Sequence, residues 1–334
     1  MEMRLLGNTG VYVSKLCLGT MTFGDNQWGV GNLGEREATE MVHAALDAGI
    51  NFFDTADVYA YGQSEELLGK TLGNRRKDVI VATKVRMRMS GDPNHVGLSR
   101  HHILNSVDAS LRRLKTDYID LYQVHLWDHL TPLEETLRAL DDLVRWGKVR
   151  YIGASNYAAW QMMKALWTSD KHHYVAFQSY QGLYNLLHRD VETEIVPMCE
   201  DRNLSILAWS PLAGGLLTGK HRPGREPPTE SRLAGPMGGF LPVDEKRLAT
   251  ILAALEEVAG RHGVPMAAVA LAWLLRKPRV TSVIVGARRM DQLTQNLAAA
   301  ELELTDEDMQ QLDEASFHWL PYPQWMILRV GKDR

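Results

Sequence analysis

The sequence of 334 residues has little of what defines several protein classes. It contains only two cysteines, Cys17 and Cys199, so neither a disulfide framework nor a cysteine-based metal site is supported, and we expect no metal. No stretch approaches the ~20 uninterrupted apolar residues of a membrane span, so we expect no membrane partner. The first eight residues lack the apolar core of a signal peptide, which predicts a cytoplasmic protein.

Neither sign of charge is in clear excess. Lys and Arg total 37 against 41 Asp and Glu, and this near balance argues against a nucleic-acid partner. The apolar share of 45% and the charged share of 23% exclude disordered and fibrous classes. The length permits two domains or one large α/β barrel.

Eight short apolar runs alternate with helical patterns along the chain. Their centres lie roughly 30 residues apart, except for about 75 between the last two, which is typical of strand–helix–strand units. Periodicity does not prove closure, but eight units favour an α/β fold of the (β/α)8 TIM-barrel type over an open sheet. We predict one domain over residues 1–334. The predicted strands are 16–18, 50–53, 79–83, 119–124, 149–152, 174–177, 205–208 and 282–285.

Further elements flank the repeat. Residues 3–6 and 11–13 surround a glycine-containing turn and predict a hairpin that closes the bottom of the barrel. Residues 131–134 combine an N-cap, a first-turn proline and a capping-box acid. Residues 305–308 begin a C-terminal helix outside the repeat. Residues 221–242, rich in proline and glycine, form a loop too long for a simple connection.

Two glycine motifs invite nucleotide-binding interpretations. Residues 29–34 spell G-x-G-x-x-G, but a Rossmann fingerprint needs a strand leading into the first glycine, and here loop residues precede it. Residues 214–221 approach a P-loop, yet His221 stands where a Ser or Thr should hold magnesium. Both standard readings are therefore disfavoured. The glycines of the second motif still allow the backbone to approach a phosphate closely.

Polar or small residues follow the predicted strands. In a parallel barrel all carboxyl ends meet at one face, where active sites lie, so Asp54, Tyr59, Lys84 and His125 could form a proton-transfer set. Taken singly, each has a structural alternative: an Asp54–Lys84 ion pair, a packing tyrosine or a hydrogen-bonded core histidine. The other residues at these ends are Gly19, Thr20, Ser155, Asn156, Gln178, Trp209, Ser210, Gly286, Arg288 and Arg289.

The motifs at these ends resemble the aldo-keto reductases, in the branch related to potassium-channel β subunits and bacterial oxidoreductases. They are Asp54-x4-Tyr59, Ala82-Thr83-Lys84, Gln123-Val124-His125, Gly153-Ala154-Ser155-Asn156 and Trp209-Ser210-Pro211-Leu212. The resemblance covers nearly the whole chain. It implies a barrel that binds NADPH without a Rossmann domain and reversibly reduces a small aldehyde or ketone to an alcohol.

The resemblance also implies catalytic roles. Tyr59 would be the general acid and Lys84 the cation that lowers its pKa, since an unperturbed tyrosine, with a pKa near 10, holds its proton at neutral pH. Asp54 would hold Lys84 in place, and His125 would orient the carbonyl.

Cofactor contacts are carried over position by position. Ser155, Asn156 and Gln178 match carboxamide-binding side chains, and Trp209 matches the aromatic residue that stacks on nicotinamide. Arg288 is expected to bind the 2′-phosphate, because guanidinium and phosphate pair bidentately. Ala287 replaces a hydroxyl residue of several family members, but NADPH is still expected over NADH. The remaining cofactor residues are Gly19, Thr20, Met21, Ser210, Pro211, Leu212, Gly214, Lys220, Arg232, Gly286, Gln292, Gln295 and Asn296.

The substrate is indicated only by class. Trp28 and Trp127 are the substrate candidates, and with Met21 and the tail aromatics Trp319, Tyr322 and Trp325 they favour an apolar or ring-bearing carbonyl compound. Packing of the tail onto the barrel is the alternative. Two other functions stay open: a redox-sensing, NADPH-binding regulatory subunit with low turnover, and a barrel isomerase that binds a substrate phosphate. The oligomeric state stays open too.

Overall fold

The computed structural model describes residues 1–25, 27–221 and 234–331. Eight parallel strands pair in chain order, and the last pairs with the first, so the sheet closes into a barrel. The predicted (β/α)8 barrel is confirmed. A hairpin of β1 (Met3–Leu5) and β2 (Tyr12–Ser14) precedes the barrel strands β3 (Leu16–Gly19), β4 (Phe52–Asp54), β5 (Ile80–Val85), β6 (Ile119–Val124), β7 (Val149–Ser155), β8 (Ser179–Leu183), β9 (Ser205–Trp209) and β10 (Val280–Val285).

The hairpin closes the amino-terminal end of the barrel, as its sequence predicted. Leu6 and Val13 are completely buried in an apolar cluster with inward-facing strand residues such as Phe52 and Leu121. Gly7 has φ +55°, and a Cβ there would overlap the carbonyl oxygen of Gln178. A glycine is therefore needed where the turn meets the barrel.

The sixth predicted strand is wrong. Residues 174–177 precede the barrel strand, and β8 begins at Ser179. The apolar run from Tyr174 to Phe177 packs against the outer core, whereas β8 carries buried polar residues, Ser179 and Gln181, into the barrel. Because β8 has polar residues facing the barrel interior, it is less apolar than the segment before it, and the prediction from apolar runs therefore chose the wrong segment.

Helices surround the barrel and bury side chains, except α11, which has no buried residue. Thr305 caps α10 by accepting a hydrogen bond from the Asp308 N–H, which confirms the predicted C-terminal helix start. The cap predicted at Thr131 is wrong, because its hydroxyl donates to Asp128 instead. The helices are α1 (Glu35–Asp47), α2 (Gln63–Leu72), α3 (Arg100–Leu114), α4 (Leu133–Arg145), α5 (Ala159–His172), α6 (Val191–Arg202), α7 (Glu245–His262), α8 (Met266–Leu275), α9 (Met290–Leu297), α10 (Asp306–Ala315) and α11 (Gln324–Val330).

The glycine motif at residues 29–34 lies in a loop and does not connect a strand to a helix, as a Rossmann fingerprint would. The segment that leads into it is a short 3-10 turn, Gln27–Gly29. A Cβ at Gly31 would overlap the backbone of Thr22, so the glycine permits close approach of two loop segments.

Within the described part of the chain, no single helix is long and apolar enough to cross a membrane. Helices α7 and α8 meet the length and composition criteria only as a pair bent by 96°.

Candidate active site

A cavity of about 830 Å³ opens at the carboxyl ends of the barrel strands. Asp54 is the last residue of β4, and Lys84 lies near the end of β5. His125 follows β6, and Tyr59 begins a 3-10 turn after β4. The structure therefore brings together the four residues that the strand ends predicted. Asp54, Tyr59 and His125 line the cavity, while Lys84 is completely buried beneath it.

Lys84 donates to three oxygen atoms. Its Nζ lies 2.5 Å from Asp54 Oδ1, 2.8 Å from the Thr55 carbonyl oxygen and 3.3 Å from Tyr59 Oη. Burial disfavours the ammonium charge, but Asp54 and the Tyr59 oxygen outweigh it and raise the pKa of Lys84 to about 12. The lysine is thus charged at neutral pH, and it contacts the tyrosine oxygen.

Two glutamines complete the surroundings of Asp54. The Nε2 atoms of Gln181 and Gln123 lie 2.8 and 3.1 Å from its Oδ2. With Lys84 on Oδ1, both carboxylate oxygens have donors, as a buried charge requires. No role was predicted for either glutamine. Gln123 could have been found from its position two residues before His125, since alternate strand residues face the same side.

The tyrosine ring is held at a fixed angle to the histidine. The ring centroids of Tyr59 and His125 are 6.0 Å apart at an interplanar angle of 81°. The next two residues, Ala60 and Tyr61, have φ values of 47° and 52°, which lie in the left-handed region that residues other than glycine rarely adopt. Tyr59 therefore stands at the start of a strained turn, as is common beside active sites.

His125 is held in its neutral form. Removal from water lowers its pKa well below 6.5, and the positive charges of Lys84 and Arg86 act in the same direction. Its Nδ1 atom is buried and has no hydrogen-bond partner among the described residues. A neutral imidazole has one donor and one acceptor nitrogen, so it can donate a hydrogen bond without carrying charge.

A chain of hydrogen bonds fixes the indole of Trp209. Its Nε1 donates to Asn156 Oδ1 at 3.1 Å, and Asn156 Nδ2 donates to Ser155 Oγ at 2.9 Å and to the His125 carbonyl oxygen at 3.0 Å. Ser155 Oγ in turn donates to the Gln181 carbonyl oxygen. Asn156 has φ +55°, a conformation that asparagine tolerates better than most residues. The network orients a flat aromatic surface inside the cavity.

The cavity is also lined by glycine backbone and by cationic and amide side chains. Gly214 and Gly215 have φ values of 68° and 104°, and a Cβ at Gly215 would meet open space. Arg288 donates through its backbone N–H to Gln292 Oε1 at 2.9 Å. The predicted residues that line the whole cavity are Gly19, Met21, Trp28, Ser155, Asn156, Trp209, Ser210, Pro211, Leu212, Gly214, Lys220, Gly286, Arg288, Gln292, Gln295 and Asn296.

Three predicted cofactor residues do not line the described cavity. Gln178 lies at the opposite end of the barrel, where its Oε1 accepts from the Asn8 N–H. Gln181 lines the cavity where Gln178 was expected. The cause is the error in the sixth strand. Thr20 is buried below the surface, with its hydroxyl 2.8 Å from Ser64 Oγ. Arg232 lies outside the described residues.

The aromatic substrate candidates separate into two groups. Trp28 lines the cavity, but Trp127 does not, because it packs edge-on against Tyr157 and Trp160 at ring distances of 5.1 and 5.7 Å. The tail aromatics Trp319, Tyr322 and Trp325 are exposed and lie outside the cavity lining. Phe240 and Leu241, which sequence reasoning missed, line the cavity from the long loop instead.

The fold and site define a closed parallel barrel in which Lys84 contacts both Asp54 and Tyr59 at the carboxyl end, beside His125, at the face where barrel enzymes place their active sites. The model of the Aldo/keto reductase family matches residues 15–316. The chain belongs to this family and is an oxidoreductase.

Relatives match nearly the whole chain. An uncharacterized oxidoreductase, YrpG, of Bacillus subtilis is 39% identical over 94% of this chain and 95% of its own length. The versiconal hemiacetal acetate reductase of Aspergillus parasiticus is 38% identical over 94% of this chain and 96% of its own. A probable voltage-gated potassium channel subunit beta of Arabidopsis thaliana is 37% identical over 90% of this chain and 92% of its own length. The resemblance seen in the sequence motifs is confirmed.

Proposed function

We propose that this protein is an NADPH-dependent reductase that converts an aldehyde or ketone to an alcohol, reversibly. The observation that carries the proposal is the 3.3 Å contact between Lys84 Nζ and Tyr59 Oη at the floor of the cavity. A cation at hydrogen-bond distance stabilises the phenolate and so eases release of the tyrosine proton. The likeness to an enzyme named as a hemiacetal acetate reductase gives further support.

The contacts of the four residues support the following roles. Tyr59 donates its hydroxyl proton to the oxygen of the carbonyl as negative charge develops there. Lys84 stabilises the phenolate left behind, and Asp54 holds Lys84 at 2.5 Å. His125, neutral because burial lowers its pKa, donates a hydrogen bond that orients the same oxygen. The reverse reaction returns the proton to Tyr59.

The lining residues suit a nicotinamide dinucleotide. The side-chain oxygen atoms of Asn156, Gln181 and Ser155 can accept hydrogen bonds from the N–H groups of a neutral carboxamide beside the fixed indole of Trp209. The open backbone at Gly214 and Gly215 can approach a pyrophosphate. When bound, this cofactor supplies the hydride. The cationic Lys220 and Arg288 side chains also line the cavity and suit the extra phosphate of NADPH, which NADH lacks.

The decisive test is Tyr59→Phe. The variant should lose carbonyl reduction by at least a hundredfold, because the proton donor is gone, while NADPH still quenches tryptophan fluorescence with nearly unchanged affinity. Tyr61→Phe is the matched control: Tyr61 is two residues away and 66% exposed, and its turnover should match that of the wild type. If Tyr59→Phe keeps most of its turnover, Tyr59 is not the acid.

The likeness to probable potassium-channel β subunits favours a second candidate, an NADPH-binding regulatory subunit with low turnover. Steady-state rates with a panel of aliphatic and aromatic aldehydes and ketones separate the two. A reductase should turn over at least one class at 1 s⁻¹ or faster, within the usual range of enzymes (about 1–10³ s⁻¹). Tight NADPH binding without such turnover would favour the regulatory function.

A further inference from the structure

We propose that Arg288 is a positioning residue for substrate recognition: it holds the loop that carries Trp28 at the mouth of the cavity, whether or not the cofactor has a 2′-phosphate. The proposal rests on the proposed reductase function. It gives Arg288 a role beyond phosphate binding. The binding of the carbonyl substrate then depends on a residue that is also expected to bind the cofactor.

The contact that carries the proposal joins the end of β10 to the Trp28 loop, which we define as residues 28–33. Arg288 Nε donates to the Val30 carbonyl oxygen at 2.7 Å, and its Nη2 donates to the Gly29 carbonyl oxygen at 2.8 Å. A guanidinium presents these two donors in a rigid fork, so one side chain fixes two successive peptide groups. Both carbonyls directly follow Trp28 in the chain.

The loop needs such an anchor because its backbone is strained where Trp28 stands. Trp28 has φ +65° and Gly29 has φ +70°, so the chain passes through two left-handed residues in succession. Only the second is a glycine, and a large side chain adopts this conformation at a cost in free energy. Without tertiary contacts the segment would relax to more favourable dihedral angles, and the indole would move with it.

The opposite end of the loop is anchored separately. Leu33 pairs with residues 22–24, since its N–H donates to the Thr22 carbonyl oxygen and its carbonyl oxygen accepts from the Gly24 N–H. Gly31 packs closely against Thr22, and the Thr22 hydroxyl donates to the Ala287 carbonyl oxygen. Loss of the Arg288 contacts would therefore loosen the Trp28 end of the loop without unfolding its base. The buried Val30 side chain and the packing of Gly29 against Pro236 would remain as weaker, apolar contacts of that end.

Trp28 links this loop to the chemistry, because its side chain lines the same cavity as Tyr59 and His125. An indole at the mouth contributes apolar surface to a bound carbonyl compound. If the loop relaxes, that surface is lost from the ground-state complex and from the transition state alike. The loss should raise the KM for the carbonyl substrate while kcat changes far less.

The first test compares Arg288→Ala and Arg288→Lys with the wild type at saturating NADPH and at saturating NADH. We expect Arg288→Ala to raise the carbonyl KM about tenfold with both cofactors, because two hydrogen bonds from a charged donor are lost. Arg288→Lys keeps a cation for the phosphate but not the fork, so it should raise the carbonyl KM while it retains most of the preference for NADPH. An unchanged KM with NADH, which has no 2′-phosphate to bind, would overturn the proposal.

The second test uses the protein alone. Amide hydrogen exchange in residues 28–30 should accelerate at least tenfold in Arg288→Ala, as expected for local release of the loop, whereas the Leu33 N–H, which donates to the Thr22 carbonyl oxygen, should exchange as in the wild type. Arg289→Ala is the control, because Arg289 is next in the chain and pairs with Asp291, and it should leave this exchange unchanged. Unchanged exchange in Arg288→Ala would overturn the loop contact. If the wild type reduces no carbonyl compound, the proposed function fails, and the exchange result alone decides whether Arg288 holds the loop.

Discussion

The Lys84–Asp54 ion pair at the candidate active site is expected to be strongly coupled, and a double-mutant cycle tests this. Lys84 is fully buried, and Asp54 is 3% exposed. Lys84→Met keeps the volume of the side chain but removes the donor to Asp54 Oδ1, the Thr55 carbonyl and Tyr59 Oη. Breaking a buried pair in this way costs about 3–5 kcal/mol, since an uncompensated charge is left behind.

The second single variant, Asp54→Asn, leaves the lysine ammonium without its counter-charge and should cost a similar free energy of unfolding. In the double variant no buried charge is left, and the asparagine amide oxygen can still accept from Gln123 and Gln181. The double variant should therefore be less destabilised than the sum of the singles by about 2–4 kcal/mol.

Urea unfolding followed by circular dichroism and by tryptophan fluorescence measures the cycle, provided that the two signals give the same midpoint. All three variants should lack carbonyl reduction, so the coupling between Lys84 and Asp54 is measured from the free energies of unfolding alone. Additive destabilisation, within about 0.5 kcal/mol, would refute the view that Lys84 and Asp54 are an electrostatic unit.

Two further predictions use the same site. Gln181→Ala should lower stability by about 1–3 kcal/mol and reduce activity, because Asp54 loses a donor, whereas Gln178→Ala at the opposite end of the barrel should leave activity unchanged; equal losses of activity would contradict the corrected strand. The pKa of His125 lies well below 6.5 in the folded protein. As the pH falls below 6.5, the histidine of the unfolded chain therefore binds a proton that the folded protein does not bind, and the free energy of unfolding decreases. The wild type should lose about 1 kcal/mol more than His125→Asn between pH 7.5 and 5.5, measured by urea unfolding, and identical pH dependences would exclude a neutral, buried histidine.

The strand ends show how far local pattern reaches into a functional site. Asp54, Lys84 and His125 stand at the ends of strands that apolar runs identified, and a parallel barrel brings all such ends to one face. Their convergence thus followed from counting strands. Gln181 could not be found in this way, because β8 has polar residues facing the barrel interior and the apolar run that precedes it is not a strand.

Residues outside the strands were harder to place. Trp28 and Trp127 look equivalent in the sequence, since both follow barrel strands. Trp28 nevertheless lines the cavity, whereas Trp127 packs edge-on against Trp160. Their loops are oriented by contacts between residues distant in the chain. The bonds from Arg288 to Gly29 and Val30 span more than 250 residues, and no local pattern encodes them.

The amino-acid sequence by itself determined the number and order of the parallel strands, the closing hairpin and the convergence of Asp54, Tyr59, Lys84 and His125 at the carboxyl ends. These features depend on hydrophobic periodicity and on a geometric rule common to all parallel barrels. Only the tertiary structure decided which atoms touch: the amides that bind Asp54, the indole that Asn156 fixes and the loop that Arg288 holds. Such contacts depend on the register and tilt of neighbouring elements, and packing of the whole molecule sets these.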